Sequence, residues 1–257
     1  MPYFFLLKSV IAGLIASFAC GLGALPLFIR KIDPGIHKGI GYSVAGGLMF
    51  AASVYNLILP GLSLPSRTIN LYQVVPVIGG IFIGSLFLWG TNQYFSKERL
   101  DRRVWSRWGG RIEILIFITM LIHSIPEGVA VGVGYASEEI ADTNLGNYIA
   151  IAIAIHNIPE GLAVAIPLRA AGASLNKCFW AAFLTSLPQP IAAVPAGIVS
   201  WLFQPIMPVL MGFAAGAMIF LIILELIPEA LNTERPQRIA WAFTIGFCMM
   251  LLVQVIL

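Results

Sequence analysis

Eight apolar stretches, each about 20 residues or longer, run through this chain, and no other feature limits its fold as tightly. They lie at about 3–29, 39–61, 72–94, 113–137, 147–168, 177–201, 206–231 and 238–257. About 20 apolar residues carry an α-helix across the hydrocarbon core of a bilayer. Transmembrane β-strands would instead alternate apolar and polar positions over about ten residues. Continuous runs require helices, because lipid offers backbone N–H and C=O groups no partners. The expected fold is an all-α integral membrane protein, a single domain over 1–257 built as a bundle of eight transmembrane helices. With 59% apolar and 11% charged residues, a water-soluble globule is excluded. The first run is too long for the apolar region of a signal peptide and is read as the first span.

Charge follows the same topology. If the loops alternate sides, 13 of the 15 basic residues fall on one side, and only Lys8 and Arg67 on the other. That asymmetry places the loops after spans one, three, five and seven in the cytoplasm and both termini outside. The net charge of +3 therefore reflects orientation, and no nucleic-acid partner is expected. The basic segment 95–112 is expected to lie against anionic headgroups. Glu138, Glu139 and Asp142 face outward, as a solvated loop or a cation-attracting patch. Cys20, Cys178 and Cys248 show no paired spacing and are read as packing residues, not as a disulfide or thiolate site.

A repeat carries the chemistry. His123-Ser-Ile-Pro-Glu-Gly-Val-Ala-Val131 recurs 33 residues later as His156-Asn-Ile-Pro-Glu-Gly-Leu-Ala-Val164, identical at seven of nine positions. One loop separates the two copies, so their helices run antiparallel, and counting from the span ends puts both histidines about 15–18 Å deep. The i, i+4 spacing places His123 with Glu127, and His156 with Glu160, on one face of each helix. Pro126 and Pro159 each remove a backbone hydrogen bond and are expected to kink spans four and five. Gly128 and Gly161 allow close helix approach.

Each ionisable group at mid-bilayer costs roughly 2.5–3.5 kcal/mol or more, so four of them require a compensating partner. A divalent cation suits two imidazoles and two carboxylates, and protonation of the glutamates offers an exchange of metal for protons. The alternatives are a packing-only proline kink and a hydrogen-bonded proton relay. An intramembrane zinc hydrolase would need a separate general base, and H-E-x-x-H does not occur. A metal sensor would need an output domain for which the spans leave no room.

Other spans add Met49, Ser53 and Asn56, where Met49 is either core packing or a soft ligand. Gln189 stands between Pro188 and Pro190 as the amide of a broken helix able to line a cavity. Glu225 and Glu229 flank Pro228 near the cytoplasmic end of span seven, as an exit-route station or an interfacial pair. Gly212 and Gly216 read as helix contacts.

On these motifs the sequence resembles the ZIP (Zrt/Irt-like) family of divalent-metal transporters, in its bacterial GufA-like, zinc-uptake branch, over essentially the whole chain. Met49-Phe-Ala-Ala-Ser53 and Ala214-Ala-Gly-Ala-Met218 add to the match. The resemblance implies a transport site of His123, Glu127, His156 and Glu160, lined by Ser124 and Asn157. It matches Met49 to a position that supplies a soft ligand in some members, and Gln189 to one where many members carry a glutamate. It further implies uptake of Zn2+ toward the cytoplasm, with Fe2+, Mn2+, Co2+ and Cd2+ as other candidates and no prosthetic group. An elevator-type motion, homodimers and a bacterial inner (plasma) membrane are also implied. An acid-poor second subsite is expected to hold a second cation weakly. The loop after span three lacks the histidine cluster common in this family.

Overall fold

The computed structural model describes residues 3–28, 38–63, 71–94, 111–141, 144–170 and 172–256. Among them, eight helices are long and apolar enough to cross a membrane, and no strand occurs. The first crossing is α1 (Phe4–Leu22) with a 3-10 turn at Leu25–Phe28. The second joins α2 (Lys38–Ala52), a π-helical segment (Ser53–Ile58) and α3 (Leu59–Ser63). Then follow α4 (Leu71–Tyr94), α5 (Arg111–Ala141) and α6 (Leu145–Ala170). The sixth crossing is split into α7 (Leu175–Thr185) and α8 (Pro188–Leu202). The seventh runs through α9 (Met207–Leu221), a second π-helical segment (Ile222–Leu226) and α10 (Ile227–Leu231), and α11 (Pro236–Ile256) completes the bundle.

Proline acts on these helices in three ways. Pro126 and Pro159 stand inside α5 and α6, which continue through them, leaving the carbonyls of Ile122 and Ile155 without their usual helical donors. Pro60 and Pro228 each follow a π-helical segment by two residues. There the Leu59 N–H reaches the Val54 carbonyl and the Ile227 N–H reaches the Ile222 carbonyl, five residues back. The wider turn shifts the hydrogen-bond register past the donor that proline lacks. Pro188 and Pro190 lie in the first turn of α8, where a missing N–H is tolerated, and the chain breaks just before them at Ser186–Leu187. Carbonyls freed at that break find donors: Ser124 Oγ donates to Thr185 O at 2.9 Å, and Ser17 Oγ to Ser186 O at 2.9 Å.

The helices pack as two groups. One contains α1, α5, α6 and α7–α8; the other contains α2–α3, α4, α9–α10 and α11. Within each, glycine sets the spacing. A Cβ on Gly161 would collide with the Cys20 carbonyl of α1, and one on Gly128 with the Gln189 carbonyl of α8. In the second group Gly47 lies against the Phe243 carbonyl of α11, and Gly212 and Gly216 against the Val77 and Ile81 carbonyls of α4. Each seam joins parallel crossings: first with fifth, fourth with sixth, second with eighth, third with seventh. Among the described residues, the atoms nearest to where each glycine would carry a Cβ belong to its own group. The groups meet through α5 on α9 and α2 on α6.

Six basic residues, Lys38, Arg111, Arg169, Lys177, Arg235 and Arg238, flank helix ends on one side of the bundle, the basic end. The segment 95–110 and Asp142 lie outside the described residues. At the opposite end Lys8 Nζ meets Glu138 Oε1 at 2.9 Å and lies 5.5 Å from the Phe4 ring centre and 6.0 Å from that of Tyr135. Glu138 is thus tied to α1, whereas Glu139 is exposed. Lys8 is itself exposed by 39%, so water screens the pair to about 1 kcal/mol or less. Lys8→Met is accordingly expected to lower the melting temperature in detergent by no more than about 4 °C.

Candidate metal centre

The prolines and glycines of the repeat bring α5 and α6 against α8 and α1, and their polar residues meet in the interior. Glu127 of α5 and His156 and Glu160 of α6 form a buried group in which one donor atom from each lies within 4.8 Å of the others. Their exposures are 1%, 0% and 4%. His156 Nε2 stands 3.2 Å from Glu127 Oε1. The other oxygen of Glu127, Oε2, accepts a hydrogen bond from Gln189 Nε2. Gln189 Oε1 in turn accepts from Asn157 Nδ2 at 3.2 Å, and Asn157 Nδ2 also donates to the Ala16 carbonyl at 3.0 Å.

Several acceptor atoms here are buried with no partner: Glu160 Oε1, His156 Nδ1 and Asn157 Oδ1. A buried unpaired acceptor costs about 1–3 kcal/mol, and more if charged. Two carboxylates this close repel unless a proton or cation lies between them. Imidazole nitrogen and carboxylate oxygen are ligands for zinc and its neighbours, at about 2.0–2.2 Å from the ion. Donors around one such ion lie about 3.3–3.5 Å apart in tetrahedral geometry. His156 Nε2 and Glu127 Oε1, 3.2 Å apart, are already near that spacing, and every donor of the group lies within 4.8 Å of the others.

The other sequence-predicted residues take different places. His123 is buried but is not one of the three clustered side chains. One helical turn nearer the basic end, it lines a small cleft between the two groups with Thr119, Leu88, Thr91, Asn92 and Glu225. Asn92 Nδ2 donates to Glu225 Oε1 there at 3.0 Å, while His123 Nδ1 has no partner. Ser124 turns to the break in the sixth crossing, as described. Met49 is fully buried in the main apolar core with Val131, Met211 and Met218. Asn157 and Gln189 contact the group through hydrogen bonds. Asn56, in the first π-helical segment, is 4% exposed and its Oδ1 is also unpartnered. Sequence reasoning passed over Asn92, although a lone amide near the end of an apolar span was a usable signal.

Comparison with known proteins adds the following. The sequence model of the family described as ZIP zinc transporter matches residues 107–254. The zinc transporter GufA of Myxococcus xanthus is 31% identical over 261 residues, which is 92% of this chain and 95% of that protein. Human zinc transporter ZIP11 is 42% identical over 159 residues, 61% of this chain and 46% of that protein. A protein of Arabidopsis thaliana is 35% identical over 233 residues, 90% of this chain. This chain spans only 36% of that plant relative's length and under half of the human one.

Proposed function

The chain belongs to the ZIP zinc transporter family, and on that premise we propose that it carries a divalent metal ion, zinc foremost, across the membrane through the Glu127–His156–Glu160 group. One observation carries this reading: two carboxylates and an imidazole, almost wholly buried between apolar spans, converge with acceptor atoms left unpaired. The two glutamates balance the charge of the ion, and His156 supplies nitrogen. His123, with Asn92 and Glu225, forms the next station toward the basic end, and Asn56 lines the way on the second crossing. Ser124 supports the site by holding the broken sixth crossing in place.

Transport runs toward the basic end, which is the cytoplasmic side, with both termini outside and the chain in the plasma membrane. The distribution of basic residues at the helix ends supports that orientation. The motion is a displacement of the first helix group against the second. Glycine seams confined within each group support it, because they fix helices inside a group and leave the boundary to side-chain contacts. Homodimers form through α4 and α11, the crossings least covered by the rest of the chain. An intramembrane hydrolase gains no support, since the family is one of transporters and both carboxylates belong to the ion-holding group.

Liposomes containing the purified chain and a zinc-sensitive dye are expected to take up external zinc faster than protein-free liposomes. Excess Mn2+, Fe2+, Co2+ or Cd2+ in competition will rank the cations. Uptake equal to that of empty liposomes for all of them would overturn the proposal.

A further inference from the structure

We propose that Gln189 and Asn157 form a neutral amide relay that fixes the Glu127 carboxylate and stands in for a second cation, so that the site holds one divalent ion. The proposal rests on the transport site argued above and concerns how many ions it takes and what orients its central ligand.

The polarity of the relay follows from its far end. An amide side chain offers one acceptor and two donor hydrogens, and which end faces a neighbour is decided by what that neighbour can do. The Ala16 carbonyl can only accept, so Asn157 must present its NH2 group there. The same nitrogen lies 3.2 Å from Gln189 Oε1, which is therefore the acceptor end of Gln189. Gln189 is left with its NH2 group facing Glu127 Oε2. A backbone carbonyl of α1 thus dictates, through two side chains, that hydrogen-bond donors face the central carboxylate. Gln189 and Asn157 are each 0% exposed, so no water competes for these bonds from outside.

Two consequences follow for the ion. The positive ends of N–H dipoles occupy the Oε2 side of Glu127, where a second cation would have to lie against them. The Oε1 side, toward His156 and Glu160, stays open to a ligand lacking donors of its own. One doubly charged ion there balances Glu127 and Glu160, while a second would leave excess positive charge inside the bilayer. Gln189 and Asn157 are thus positioning residues. They act through Glu127, as hydrogen-bonded partners of metal ligands commonly do, at about 10- to 100-fold in affinity when lost.

Zinc binding to the purified full-length chain in detergent tests this, with calorimetry for affinity and elemental analysis after dialysis for stoichiometry. The wild type is expected to retain one zinc per chain that Glu160→Ala removes. The nearly isosteric pair Gln189→Glu with Asn157→Asp exchanges donors for acceptors and is expected to retain two. Gln189→Leu is expected to retain one, bound about 10- to 100-fold more weakly. A thermal melt of each variant separates unfolded protein from folded protein that fails to bind. Two zinc ions in the wild type, both lost in Glu160→Ala, would overturn the relay and leave the transport site standing. So would an unchanged single zinc in the Gln189→Glu, Asn157→Asp variant that melts like the wild type. Zinc that survives both Glu127→Ala and Glu160→Ala would instead remove the transport site and the relay with it.

Discussion

Zinc flux through liposomes carrying Glu127→Ala will fall to the level of protein-free membranes. Both oxygens of this carboxylate are engaged, one facing His156 Nε2 and the other accepting from Gln189 Nε2. Truncation to alanine removes one of the two negative charges in the group and strands the Gln189 donor with no replacement acceptor. Truncating one partner of a buried, hydrogen-bonded charge contact costs about 2–5 kcal/mol of binding, which is roughly thirty- to a few-thousand-fold in affinity. At zinc concentrations that half-saturate the wild type, so large a loss leaves the site almost empty. Glu127→Asp keeps the charge but shortens the arm, and is expected to retain measurable flux at raised zinc. Wild-type flux from a Glu127→Ala protein with a normal melting profile would show that the ion passes elsewhere.

Gly161→Val will markedly lower the stability of the fold, although it touches no ligand directly. The position follows Glu160 and lies where α6 crosses α1 with no room for a side chain: a Cβ there meets the Cys20 carbonyl, and a Cβ on Gly23 opposite meets the Ile158 carbonyl. Overpacking costs about 1–3 kcal/mol even when side chains can yield. Here the obstacle is backbone on both sides, so the helices must separate and the cost lies at or above that range. For a chain of this size the melting temperature should drop by roughly 6 °C or more. Gly79→Ala is the control, since a Cβ there has open space around it and alanine is the better helix former by about 0.8–1 kcal/mol. Fluorescence-detected gel filtration across a temperature series measures both. Equal melting of Gly161→Val and wild type would remove the seam as a stability element.

Much of this architecture could be read from the chain because lipid imposes one rule everywhere. A helix must be long, apolar and internally hydrogen-bonded, so the eight spans stand out by length alone. The break in the sixth crossing was legible for a similar reason, since Pro188 and Pro190 could not both sit mid-helix. The π-helical segments were not foreseen, although Pro60 and Pro228 marked them: a proline announces a lost hydrogen bond, not which of several repairs the helix adopts. At the site, i, i+4 spacing put Glu127, His156 and Glu160 on faces that the structure brings together. It also set His123 beside them, whereas the structure has it facing Asn92 and Glu225 across the boundary between groups. Spacing fixes the face of a helix but not the rotation of that helix against its neighbours. The amide chain from Ala16 to Glu127 was out of reach for the same reason, because it links residues 141 and 32 positions apart.

The confinement of the glycine seams bears on how a chain of this kind can change over generations. A bulkier residue at a seam meets backbone on the facing helix, so no smaller side chain opposite can make room for it, and that helix lies in the same group. Seam glycines should therefore stay glycine while each group drifts as a unit, and the boundary accepts substitutions one at a time. Hybrids that exchange a whole group between relatives should keep their seams intact and need adjustment only where α5 meets α9 and α2 meets α6.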